Sequence, residues 1–186
     1  PEHSLSAHSL HPERTALTAK GDGFGGGWYG ERGEPGQYRE TLPAWNDANL
    51  KSLAAQIRSG LFFAHVRAST GTETSRANCH PFVNGRWMFM HNGQIGGYER
   101  VRRALDALLA DDLYAKRRGT TDSEAFFYLL FHFGLERDPE EAWRRAVQAV
   151  LAAMSRAGVA EPFRMTAILT DGKILYGLRY ATDPSP

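Results

Sequence analysis

The chain of 186 residues has one cysteine, almost no net charge and no long apolar run. Each scarcity removes a class of function. A single cysteine excludes an internal disulfide framework and a thiolate-rich metal site, and it agrees with a reducing cytoplasm. Twenty-two Lys and Arg against 21 Asp and Glu leave a formal charge of +1, so no long-range field favours nucleic acid or an anionic membrane surface. No stretch approaches the ~18 consecutive apolar residues of a membrane span, and no signal peptide is visible. A small-molecule partner is expected, with no nucleic acid and no membrane. There is no initiator Met either. The chain opens "PEHSL" and stops at "YATDPSP" just after a strand-like segment, so both ends are expected to be incomplete around a single domain, 1–186.

What is present divides into strands, then helices, then strands. Residues 1–20 are polar and His-rich, a loop with a short helical piece. "FGGGWYGE" and "GQYRET" flank the turn-rich "RGEPG" and read as a hairpin. In "NDANLKSLAAQIRS", Leu50, Leu53, Ala54 and Ile57 recur at helical spacing behind a cap at Asn46 or Asp47. "LFFAHVRAS" and "RWMFMHN" are apolar strands, the second preceded by "HPFV" and by Asn84-Gly85, which reads as a two-residue type I′ turn. "YERVRRALDALLADDLY" reads as one helix. "TDSEAFFYLLFHFGL" follows with Thr121 or Asp122 as cap, then "PEEAWRRAVQAVLAAMSRAG" with Pro139 at its start. "FRMTAILTDGKILYGLRY" closes as two strands about Asp171-Gly172. Layers of sheet and helix are implied.

Several motifs invite chemistry that their context does not support. "GDGFGG" fits G-x-G-x-x-G, yet a polar loop precedes it and "GWYG" follows, where a dinucleotide fingerprint needs a strand before and a helix after. Its glycines are better read as a close approach to another backbone or a ligand. His65, His80 and His91 match no ligand spacing and lack an accompanying carboxylate, so hydrogen-bonded or core histidines are expected and no metal or cofactor. Cys79-His80 are adjacent in extended chain and point to opposite faces, which argues against a direct Cys-His pair.

Two features keep a functional reading. Asn92-Gly93 ends a buried strand, where a side-chain amide and a backbone N–H side by side would serve an oxyanion; a plain strand-to-helix turn is the alternative. Arg67 ends "LFFAHVRAST" with a guanidinium fork suited to a carboxylate. Asp122 is either a helix cap or, facing a cavity, a partner for an ammonium. Arg67 with Asp122 would then recognise an α-amino acid.

The strings "GDGFGGGWYG", "FFAHVRASTG", "NCHPF", "FMHNGQI" and "GTTDSEAFFYLL" together resemble the class II glutamine amidotransferase domain of the N-terminal nucleophile hydrolases, most of all its stand-alone members. They cover most of residues 21–131 in the family's order. The resemblance implies an α+β fold, a four-layer αββα sandwich of two mostly antiparallel sheets between helical layers. It also implies hydrolysis of the glutamine γ-amide through a γ-glutamyl thioester, without a cofactor. By the same carry-over Arg67 binds the substrate α-carboxylate with Thr70 lining the pocket, Asp122 binds the α-ammonium, Asn92 and Gly93 form the oxyanion hole, and His80 sits near the pocket. Glutamine or a γ-glutamyl compound is the implied substrate, and an ammonia-accepting enzyme a possible partner.

One departure is large. The family's nucleophile is a Cys at the mature amino terminus, whereas this chain begins with Pro1. Cys79 is internal and cannot replace it. A Cys upstream of Pro1 is the expectation, leaving the 186-residue chain inactive; a γ-glutamyl amidase or an amino-acid-binding module without turnover are the alternatives.

Overall fold

The computed structural model describes residues 22–67 and 73–183. The expected loop over 1–20 and the pocket residue Thr70 lie outside them. The chain divides into two compact units, one formed by residues 22–90 with 169–176 and the other by 91–168 with 177–183.

The first unit is built on a three-stranded antiparallel sheet, β1 (Phe24–Trp28), β2 (Gly36–Glu40) and β3 (Phe62–Val66), in the order β2-β1-β3. β1 and β2 form the expected hairpin, with Gly26 opposite Tyr38. The glycines of β1 explain the failed fingerprint. A Cβ at Gly25 would overlap the His80 carbonyl oxygen, and one at Gly27 would overlap the Met88 sulfur and lie 2.9 Å from Pro81. Glycine lets the strand lie against this backbone where no other residue fits.

Helix α1 (Ala48–Gln56) starts at Asp47, whose carboxylate accepts the Leu50 N–H at 2.9 Å. The same carboxylate accepts the Tyr38 hydroxyl at 2.8 Å, tying the helix start to β2. No residue of α1 is fully buried. Leu50, Leu53 and Ile57 instead line an apolar groove with Trp28 and Phe62, the latter 67% exposed.

A second sheet has the order β4-β5-β6-β7, made by β4 (Phe82–Asn84), β5 (Trp87–Gln94), β6 (Arg164–Thr170) and β7 (Leu175–Ala181). The turn between β4 and β5 corrects the sequence reading. Asn84 pairs with Trp87, so the two loop residues are Gly85 and Arg86. Only the glycine has positive φ, at 56°. That is the glycine-first pattern of a II′ turn, with Asn84 still in the strand.

The helices of the second unit are α2 (Tyr98–Asp106), α3 (Asp111–Tyr114), α4 (Asp122–His132) and α5 (Pro139–Arg156). The single helix expected over 98–114 is two, because Ala110 is extended and Asp111 and Asp112 open a new first turn, where acidic residues favour the helix dipole. α4 is apolar nearly all round and buried from Ser123 to Leu130, as a helix must be when neighbours cover every face. Phe126, Phe127, Leu129 and Leu130 are fully enclosed, each such side chain stabilising the fold by about 1.5–3 kcal/mol relative to exposure. α5 presents the stripe Ala142, Ala146, Val150 and Ala153 to this core. Among the described residues, no helix is long and apolar enough to cross a membrane. With two antiparallel sheets and these helices, the chain has the expected α+β class.

Candidate active site

The site residues proposed from sequence fall in both units. In the first, Arg67 follows β3 directly. Its backbone N–H donates to the Gly23 carbonyl at 2.8 Å, and its guanidinium donates to the carbonyls of Asp22 at 3.3 Å and Glu73 at 3.4 Å. Only 5% of Arg67 is exposed. Two backbone carbonyls thus hold the planar fork in a fixed orientation.

His80 is also buried, with its ring 4.4 Å from that of His65 and edge-on to Phe82 at 4.8 Å. Among the described residues, no group of three or more His, Cys, Asp or Glu side chains is arranged to hold a metal ion. Cys79 has no exposed surface, and its thiol lies 3.6 Å from the Glu40 carbonyl and 3.5 Å from that of Ser75. Burial pushes this thiol up from its ordinary pKa, with the Arg67 and Arg39 charges opposing. A buried thiol kept protonated is a poor nucleophile. The surrounding segment is scaffold: Arg39 donates to the Cys79 carbonyl at 3.1 Å and Gln37 to that of Pro81 at 2.6 Å.

In the second unit, Asn92 and Gly93 lie within β5 near its end, and both are exposed although the strand before them is buried. Gly93 has φ 134°, and a Cβ there would overlap the Arg164 carbonyl oxygen. Only glycine fits this combination of backbone and neighbour. The structure therefore contains no simple strand-to-helix turn at Asn92-Gly93; α2 begins only after Gly97.

Asp122 is brought to the same strand end. Thr121 takes the capping role, its hydroxyl accepting the Glu124 N–H at 3.2 Å. That leaves the Asp122 carboxylate to accept the Ser123 N–H and the Ile95 N–H, both at 2.8 Å. Two further residues complete the arrangement: His91, expected from sequence as a hydrogen-bonded or core histidine and found as one, and Glu124, which sequence reasoning did not place. The buried His91 ring has Nδ1 2.8 Å from the Ser123 hydroxyl and Nε2 3.4 Å from the Arg164 carbonyl. Burial lowers its pKa, with the Asp122 charge opposing. Buried Glu124 accepts the N–H groups of Arg118 at 2.9 Å and Gly119 at 2.8 Å, which shapes the loop leading into Asp122. The signal for Glu124 was legible as Thr-x-x-Glu, the pattern of a capping box, although its carboxylate reaches back beyond the cap itself.

The sequence model of the class-II glutamine amidotransferases matches residues 2–182. The chain belongs to this family. Its fold is similar to a glutamine aminotransferase class-II domain protein from Silicibacter pomeroyi, with 46% identity and a TM-score of 0.75 over 86% of this chain and 70% of that one. It also resembles the glutamine phosphoribosylpyrophosphate amidotransferase of B. subtilis, TM-score 0.58 at 14% identity over 86% of this chain and 31% of the other. At that identity the likeness speaks to fold alone, and it agrees with the two-sheet α+β fold described above. Among curated proteins, the chain is 35% identical over 98% of its length to the probable glutamine amidotransferase DUG3 of Saccharomyces cerevisiae. It is 32% identical over 51% of its length to a γ-glutamyl-hercynylcysteine sulfoxide hydrolase of Mycolicibacterium smegmatis. It spans 58% of the first relative and 43% of the second. The family's function is glutamine amidotransferase-like, and the relatives include named hydrolases.

Proposed function

We propose that this protein hydrolyses the γ-amide of glutamine through a γ-glutamyl thioester on an amino-terminal Cys upstream of Pro1. The observation that carries the reading is the exposed Asn92-Gly93 pair, held at the end of a buried strand beside the Asp122 carboxylate. In this reading Arg67 takes the α-carboxylate and Asp122 the α-ammonium, while Thr70 and His80 line the pocket. The Cys thiol gives its proton to its own α-amine and attacks the side-chain carbonyl carbon. Asn92 Nδ2 and the Gly93 N–H donate to the resulting oxyanion. Collapse breaks the C–N bond, the proton leaves with ammonia, and water then cleaves the thioester to give glutamate and the free thiol. No metal or organic cofactor is needed. An enzyme that accepts the ammonia is a fitting partner, and a cytoplasmic setting fits a chain that depends on a free thiol.

A second reading, a γ-glutamyl amidase that releases an amine from a peptide or conjugate, is favoured by the likeness to the mycobacterial hydrolase. Ammonia release from glutamine, measured beside amine release from γ-glutamyl conjugates in the full-length protein, separates the two by kcat/KM. The chain beginning at Pro1 is expected to turn over neither. Binding of glutamine with no turnover by the full-length protein would instead establish an amino-acid-binding module.

A further inference from the structure

His91 is 3% exposed on the strand that carries the two proposed oxyanion donors, and the chemistry above does not use it. Its Nε2 faces the Arg164 carbonyl at 3.4 Å, the same carbonyl that a Cβ at Gly93 would strike. That Cβ would also come within 2.9 Å of Nε2. The ring, the glycine and one carbonyl of β6 are thus packed as a unit. A carbonyl oxygen can only accept, so the proton belongs on Nε2. Nδ1 is then an acceptor, and the Ser123 hydroxyl, at 2.8 Å, donates to it. The opposite assignment has Nδ1–H donating to Ser123 and the hydroxyl donating to Asp122 Oδ1 across 3.4 Å. It would set the Nε2 lone pair against those of the carbonyl. The first turn of α4 therefore grips the strand on both sides of Asn92-Gly93, through His91 before the pair and through Ile95, which donates to Asp122, after it.

We infer that His91 and Ser123 are positioning residues, a neutral Nε2–H imidazole and the hydroxyl that fixes it, which hold Gly93 and Asn92 in the geometry an oxyanion needs. The inference rests on the oxyanion reading above. Displacing such donors by about 1 Å costs up to ~10²-fold in rate.

The test uses full-length protein and two measurements. In ¹⁵N-labelled protein the long-range ¹H–¹⁵N pattern of His91 is expected to be that of the Nε2–H tautomer; a Nδ1–H pattern overturns the assignment. In steady state, Ser123→Ala is expected to lower kcat on glutamine by roughly 10- to 100-fold with KM changed less than about threefold. Ser123→Thr, which restores the hydroxyl, is expected to recover most of that loss, whereas a purely structural serine would give a change in melting temperature and no selective change in kcat. Wild-type turnover with an unchanged kcat in Ser123→Ala strikes the positioning role alone. Absence of turnover by the wild type on glutamine and on γ-glutamyl substrates strikes the oxyanion reading and, with it, the role given to His91.

Discussion

The dipeptide Asn-Gly occurs twice, once at the turn that leads into β5 and once within the last residues of that strand, and the two copies are held differently. At Asn84-Gly85 the glycine has φ 56° and open space where a Cβ would be, and the asparagine pairs in β4 opposite Trp87. At Asn92-Gly93 the glycine has φ 134°, and both residues are exposed beside a buried histidine and a half-buried carboxylate. The first site needs glycine for backbone freedom alone. The second needs it for freedom and for room, since the Arg164 carbonyl occupies the position a side chain would take. Identical letters are thus separated by what surrounds them: one copy is open, and the other is crowded and buttressed.

Substitutions can break this contrast in graded steps. Gly93→Ala is expected to have the largest effect, roughly 2–4 kcal/mol lost in denaturant unfolding together with turnover, because backbone strain and overlap with a carbonyl act at once. Asn92→Ala comes next, and its loss falls on turnover, with unfolding changed by no more than about 0.5 kcal/mol as for other exposed positions.

A third effect appears on acidification. Burial holds the His91 pKa below its ordinary 6.5. As pH falls past 6.5 the unfolded chain takes up a proton at His91 that the folded one refuses, so stability declines with falling pH, this one group contributing at most ~1.4 kcal/mol per pH unit. His91→Gln is expected to flatten this slope without abolishing it, because burial and Arg145 also push His132 down. An unaltered slope from pH 7.5 to 5 would show that the support around Gly93 does not titrate. Gly85→Ala is expected to cost only about 1–2 kcal/mol, the left-handed backbone penalty without a clash, and to leave the pH slope as it was. Asn84→Ala should change neither unfolding nor turnover by more than about 0.5 kcal/mol.

The extent to which sequence revealed these features follows the range of the interactions. Local signals were legible: the β1–β2 hairpin, the Asp47 and Thr121 caps and the Pro139 start all depend on residues within a few positions. The glycine-rich β1 was readable as a close approach, though not what it approaches, because His80 and Met88 lie more than fifty residues onward. The turn after β4 was misplaced by one residue because its register depends on the β5 partner. A continuous apolar period concealed the break between α2 and α3, which the paired acids at 111 and 112 could have signalled. In the site, Asn92, Gly93, Asp122 and Arg67 were named from residue type and resemblance. The support given by His91 was not legible, because its partners Ser123 and Arg164 are 32 and 73 residues away.

In the proposed function the Asn92-Gly93 pair serves a γ-glutamyl transition state, while its twin only turns the chain. The most direct test of this role is kcat for ammonia release from glutamine by the full-length protein, compared between Asn92→Ala and Asn84→Ala. Asn92→Ala is expected to lower kcat by about 10²–10³-fold with KM nearly unchanged, and Asn84→Ala to turn over as the wild type does. Equal, near-normal kcat in the two variants would contradict that role.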